Sequence, residues 1–277
     1  VKELPSHSHL AQDTWRDLRR YTQARIALGR SGASLPTGEV LDLSMAHARA
    51  RDAVHLPLDT QALAASLIAE GFRVLHVRSS AVSRREYLRR PDLGRKLHPE
   101  DEHLLAVDDM PEASVRSRLT IVIADGLSSL APARHALPLL LQLRQQFTIA
   151  SSTIPNEAPG APKAWLLDTI VIATQARVAL ADRVGILRRA EAVAILLGER
   201  PGLSSPDSLG IYMTYAPRAG VSDADRNCIS NVRPQGTSYA EAAYKLHYLL
   251  ERSRLFGKSG VAIKDNSEWV PSGRLLF

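Results

Sequence analysis

The chain has 277 residues, 45% of them apolar and 23% charged, which excludes a disordered tail, a fibrous repeat and a chain too short to bury a core. Its net charge of +6 comes from 35 basic and 29 acidic residues, the basic ones mostly arginine, a side chain suited to planar recognition of phosphate or carboxylate. Acids are interspersed with these bases at 13–20, 49–52 and 251–254, and only 5% of the chain is aromatic, so no base-stacking surface and no nucleic-acid partner are expected.

Three helices are predicted first. Asp13 can cap a stretch with Trp15, Leu18, Tyr21 and Leu28 at helical spacing, ended by the glycine-bearing cluster 29–32. From Thr37, the residues Val40, Leu43, His47, Ala50 and Val54 share a face until Pro57 ends the helix. A third begins after Asp59, carries Leu63, Leu67 and Ile68, and stops at Gly71. The period then changes. Short β-branched or apolar runs at 72–77, 120–124, 169–173, 192–197 and 211–215 read as strands buried on both faces. Helical stretches at 129–147 and 179–190 alternate with them, which predicts an α/β fold with a mostly parallel sheet. Pro138 is expected to kink the first of these helices. The proline-rich stretch 149–163 reads as a surface loop, a capping box from Ser238 to Glu241 opens a last helix reaching about Phe256, and 266–277 read as a tail.

The organisation expected is therefore a small helical N-terminal domain over 1–70, an α/β domain over 71–265 and the tail. Cys228, the single cysteine, can form neither an internal disulfide nor a multi-cysteine metal site, which fits a reducing cytosol. The longest apolar runs fall far short of the roughly 20 residues that cross a bilayer, so no membrane is expected.

A parallel sheet binds ligands at the carboxyl ends of its strands. That edge should carry Asp125 and Gly126, Thr174 and Gln175, and the turn from Gly198 to Gly202. Glycine-rich phosphate loops, HExxH and Gly-x-Ser-x-Gly are all missing, so nucleotide binding, zinc hydrolysis and acyl transfer lose their support. His47, Arg51 and His55 would share one helix face, more readily a solvated or docking surface than a metal site. Cys228 has Arg226 nearby, which could lower its thiol pKa, but no histidine accompanies it in sequence. The residues alone leave two readings open: a free-standing α/β ligand-binding enzyme, or a subunit that completes another chain's site.

Longer strings point further. RIALGRSG at 25–32, LPT at 35–37 and AHARARDAVH at 46–55 resemble the N-terminal half of the ethanolamine ammonia-lyase small subunit family. IVIADGLS at 121–128, ARVALADRVG at 176–185, LGERPGL at 197–203 and ADRNCISN at 224–231 resemble the same family in the same order. The resemblance implies a lyase that converts ethanolamine to acetaldehyde and ammonia by radical chemistry of adenosylcobalamin. It implies a hetero-oligomer in which a large subunit holds the substrate and the catalytic residues, while this Rossmann-like chain covers the corrinoid where the two meet. Carried over residue by residue, the cofactor contacts fall on Val178, Glu199 and Cys228: an apolar contact, an acceptor for a corrin amide, and a small residue that packs closely. Asp125, Arg200 and Arg226 are weaker neighbours. No catalytic residue and no metal ligand is expected here, since the Asp-x-His-x-x-Gly motif that supplies a cobalt-binding histidine is missing and Asp52 and His55 have the wrong spacing. The location implied is the bacterial cytoplasm, including an ethanolamine-utilisation microcompartment, although little room precedes the first motif for an encapsulation segment.

Overall fold

The computed structural model describes residues 10–11, 13–106, 117–153 and 164–269. Its centre is a six-stranded sheet built from β3 (Val74–Arg78), β4 (Ser117–Ala124), β5 (Trp165–Thr174), β6 (Ala192–Gly198), β7 (Leu209–Tyr215) and β8 (Asn227–Val232). The order is β3-β5-β4-β6-β7-β8, with parallel pairing among the first four strands and antiparallel pairing of β7 with both β6 and β8. The expected α/β fold with a mostly parallel sheet is therefore present. A small ribbon of β1 (Leu10–Ala11) and β2 (Arg30–Ser31) lies outside it.

The parallel strands are continuous apolar runs because both of their faces are covered. Leu119, Ile121 and Ile123 of β4, with Ile170 and Ile172 of β5, face a core that also holds residues of α2 (Thr60–Ala69), α5 (Leu130–Thr153) and α7 (Tyr239–Phe256). Val122, Val171, Val193 and Ile195 alternate with them and meet Leu180, Ala181 and Val184 of α6 (Leu180–Leu187) on the other face. Helix α2 thus places Leu63, Ala64 and Leu67 in the larger sheet core. The preceding helix, α1 (Thr37–His55), buries only Ala53, and His47, Arg51 and His55 are exposed along it.

The helix caps follow side-chain chemistry. Asp59 accepts a hydrogen bond from the Ala62 amide at 2.9 Å, and Ser238 one from Glu241 at 3.2 Å. The carboxylate of Glu241 bonds Lys245 at 2.7 Å, one turn on. Gly257, at φ +65°, ends α7 in the left-handed conformation.

Several expectations are corrected. The first helix shrinks to a 3-10 turn, Arg16–Arg20, with Trp15, Leu18 and Tyr21 exposed. Helical spacing alone does not hold a helix when its apolar face meets no partner. Helix α5 runs to Thr153, into the stretch expected to be a loop, and carries Pro138 inside it; the rest of that stretch, 154–163, lies outside the described residues, as do 270–277 of the tail. Two short helices, α3 (Arg84–Arg89) and α4 (Pro91–Gly94), and a 3-10 helix, Pro99–Leu105, fill the connection after β3. Strand β8 was not expected. It alternates exposed Cys228 and Ser230 with buried Ile229, the pattern of a half-covered strand. Among the described residues no helix is long and apolar enough to cross a membrane.

One buried pair ties β5 to the end of α6. Arg188 donates from Nε and Nη2 to the two carboxylate oxygens of Asp168 at 2.9 and 2.8 Å, and both residues are buried. Removing one member strands the other's charge, so Asp168→Ala is expected to lower the unfolding free energy by about 3–5 kcal/mol in urea titrations followed by circular dichroism. A loss under about 1 kcal/mol would show that the guanidinium finds water or another acceptor.

Candidate functional site

The carboxyl ends of β4 and β6 are drawn together by two glycines. A Cβ on Gly198 would lie 1.9 Å from the Ser128 carbonyl oxygen, and one on Gly126, at φ +53°, would lie 2.4 Å from the Gly198 carbonyl oxygen. Only hydrogen fits at either place, and the approach lets the Leu127 amide donate to that Gly198 oxygen at 2.8 Å. The next residue, Glu199, donates its amide to Ser208 at 2.9 Å, which opens the hairpin to β7.

A third glycine works from the other side. Gly94 of α4 sits against the Tyr87 ring, where a Cβ would come within 2.9 Å, and its carbonyl accepts the Arg177 amide at 2.8 Å. This brings α3 and α4 onto the end of β5. Tyr87 is 1% exposed, and its hydroxyl donates to the Ala176 carbonyl at 3.2 Å. Burial pushes that phenol up to about 12. Arg84 bridges the same edge, donating to Val54 and Gly126 carbonyls at 2.7 Å each and to Asp125 at 3.2 Å. Asp125 is buried and also accepts the Ala176 amide at 3.3 Å. Burial raises its pKa, against the pull of Arg84. Asp125 is thus a structural tie between strand ends.

These elements surround a cavity of about 270 Å³ at the ends of β5 and β6. Val178 and Glu199 both line it, with Tyr87, Arg177, Arg200 and Tyr212. Glu199 Oε2 accepts from the Ser208 hydroxyl at 2.5 Å and from the Asn231 amide at 3.4 Å, which fixes the carboxylate while Oε1 takes neither bond. Two polar atoms at the end of β5, Gln175 Oε1 and Arg177 Nε, are buried without a hydrogen-bond partner.

Cys228 lies beside this cavity rather than in it. It pairs with Tyr212 across β7 and β8, and Tyr212 pairs with Ile195, so all three share the α6 side of the sheet. At β8 that side is open, and Cys228 and Ser230 are exposed. The thiol is 3.2 Å from the Ser230 hydroxyl. Arg226 does not lower its pKa, as its position in sequence suggested. That guanidinium is buried against Asp182 and pairs with Asp223 at 3.2 Å. The thiol is instead pushed up, by desolvation first, although Cys228 is exposed, and the Tyr212 phenol rises for the same first reason.

Sequence reasoning missed Tyr87, Arg95 and Tyr212 as cavity residues. Tyr212 had a readable signal, since it occupies the partly exposed face of a strand whose neighbours Ile211 and Met213 are buried. Tyr87 and Arg95 had none, because 78–105 shows no periodicity. A larger cavity, about 690 Å³, lies between Ala53, Ser129, Arg134 and Asp207 and includes none of the three expected contacts.

With this geometry in place, comparison with known proteins is decisive about kinship. Residues 12–264 match the family described as ethanolamine ammonia-lyase light chain. The chain belongs to that family. Among its relatives, the ethanolamine ammonia-lyase small subunit of Azotobacter vinelandii is 51% identical over 96% of this chain and 93% of its own length. Those of Ralstonia nicotianae and Pseudomonas fluorescens are 49% and 47% identical, each over 97% of this chain and over 95% and 92% of their own lengths. Reaction of Cys228 with a disulfide reagent requires the thiolate, so its rate is expected to rise with pH at a midpoint above that of a free cysteine peptide. A midpoint at or below the peptide's would contradict a desolvated thiol.

Proposed function

We propose that this chain is the small subunit of an adenosylcobalamin-dependent ethanolamine ammonia-lyase, and that it covers one edge of the corrinoid where it meets a large subunit. In this reading residues 71–265 form the Rossmann-like cofactor-binding part, 1–70 the helical part and 266–277 a tail, and Val178, Glu199 and Cys228 are the cofactor contacts. The observation that carries it is the meeting of Val178 and Glu199 in one cavity at the carboxyl edge of the sheet, with Cys228 on the open face beside it.

The residues present fit such a group. A corrinoid is rimmed by amide arms that both donate and accept hydrogen bonds. Glu199 lines the cavity and keeps Oε1 outside the hydrogen bonds described above, as an acceptor for such an arm. About 270 Å³ falls just below the roughly 300–1,000 Å³ that encloses a drug-sized ligand, so the cavity can hold an arm or edge of a corrinoid but not the whole. The remainder must be enclosed by another chain, which supports a shared site and a hetero-oligomer. When bound, the cofactor supplies the radical chemistry of the lyase reaction. This chain's part is binding: Val178 gives an apolar contact, Glu199 orients an amide arm, and Cys228 permits close packing. In this reading all three serve to hold the cofactor, and the chain acts as the non-catalytic subunit of the lyase.

The test is ammonia release from ethanolamine by this chain co-expressed with a large subunit. Activity is expected only from the pair. Loss of one hydrogen bond to a charged group makes Glu199→Ala raise the half-saturating adenosylcobalamin concentration about tenfold, with kcat at saturation changed by less than roughly twofold. Ammonia release by this chain alone, or a large fall in kcat at an unchanged cofactor requirement, would overturn the reading.

A further inference from the structure

The cavity holding Val178 and Glu199 has a charge arrangement that its three expected contacts do not explain. Its lining includes three arginines, Arg95, Arg177 and Arg200, and two acids, Glu199 and Asp223. Asp223 pairs with Arg226 at 3.2 Å, and Glu199 rests through Oε2 alone on the neutral Ser208 hydroxyl and Asn231 amide. The three arginines outnumber that one carboxylate and pair with none. Among the described residues none of the three meets a carboxylate within 4 Å, whereas Arg78, Arg84, Arg183 and Arg188 each do. Arg177 lies over the Tyr87 ring at 4.7 Å, which aims its plane without neutralising it, and its Nε is buried with no acceptor. Arg95 and Arg200 are exposed and free to turn toward a ligand.

Three unpaired guanidinium groups around one small cavity make an anion site, and planar forked donors match the oxygens of a phosphate better than an isolated ammonium would. A corrinoid that carries its nucleotide has one such anion, the phosphodiester linking the macrocycle to the base, while its other arms are neutral amides. We propose that Arg95, Arg177 and Arg200 bind the phosphate of the corrinoid's nucleotide arm, so that this cavity selects corrinoids with that arm over those without it. The proposal rests on the corrinoid reading above. It assigns Glu199 and the arginines to different parts of one ligand: the carboxylate to an amide, the guanidiniums to the phosphate.

The experiment is equilibrium binding of three corrinoids to the co-expressed two-subunit complex, read from the absorbance retained by the protein: cobinamide, cobinamide phosphate and hydroxocobalamin. The unsubstituted complex is expected to bind cobinamide phosphate at least roughly tenfold more tightly than cobinamide, and the preference should shrink as salt is raised. In Arg177→Gln and Arg200→Gln the preference is expected to vanish while cobinamide binding stays the same. Inorganic phosphate separates the arm from a free anion, since a nucleotide-arm site should need far more of it than of cobinamide phosphate to compete.

Equal weakening of all three corrinoids in the variants would overturn the proposal, because the arginines would then serve the macrocycle, yet would leave the corrinoid reading standing. Unchanged corrinoid preference with loss of the large subunit on co-purification would overturn it in favour of ion pairs between chains. Failure of the unsubstituted complex to bind any of the three would instead sink the reading on which it rests. Arg177→Lys provides a folding control that keeps the charge; it is expected to recover part of the preference, and none of it if the side chain acts only by packing on Tyr87.

Discussion

The close approach of two backbones at Gly126 and Gly198 is the constraint on which the rest of the site depends. A side chain at Gly198 would overlap the Ser128 carbonyl, and one at Gly126 would overlap the carbonyl of Gly198 itself. With hydrogen at both positions, the ends of β4 and β6 close, β6 turns directly into the hairpin with β7, and Glu199 is delivered to the rim at the first residue past the strand. Its carboxylate is then held by donors from the β7 start and from β8. The site is thus a property of the sheet edge, and the flanking turns inherit their positions from it.

The charges of the sheet are divided by setting. Within the fold they are paired and buried: Asp125 with Arg84 at the carboxyl edge, and Asp182 with Arg226 and Asp168 with Arg188 away from it. Such pairs add little net stability over an apolar core, but they hold geometry because breaking one leaves a stranded charge. Around the cavity the pattern changes to three unpaired arginines against one carboxylate, Glu199, that none of them neutralises. A donor-rich cavity of limited volume beside an open strand face is unsuited to enclosing a whole corrinoid and well suited to holding part of one against a second surface.

How much of this was legible in the sequence depended on burial symmetry. Strands β4, β5 and β6 could be read because both faces are covered, so Ile121 to Ala124 and Val193 to Leu197 carry almost no polar side chains. Strand β8 could not be read the same way, because Cys228 and Ser230 face outward between apolar partners. Helical spacing from Trp15 to Leu28 misled for a related reason: periodicity records what could be buried, while the structure shows only what this chain buries. At the site, Glu199 stood out by following a strand. Tyr87 and Arg95 did not, since they reach the cavity from an aperiodic connection through the tight contact at Gly94.

The most direct test of the central claim is a crystal structure of the two-subunit complex with hydroxocobalamin bound. The account predicts the corrinoid edge between Val178 and Glu199, with Cys228 against the macrocycle and the nucleotide phosphate among the three arginines. A corrinoid without contact to this chain, or one seated in the larger cavity beside Ser129 and Arg134, would contradict it.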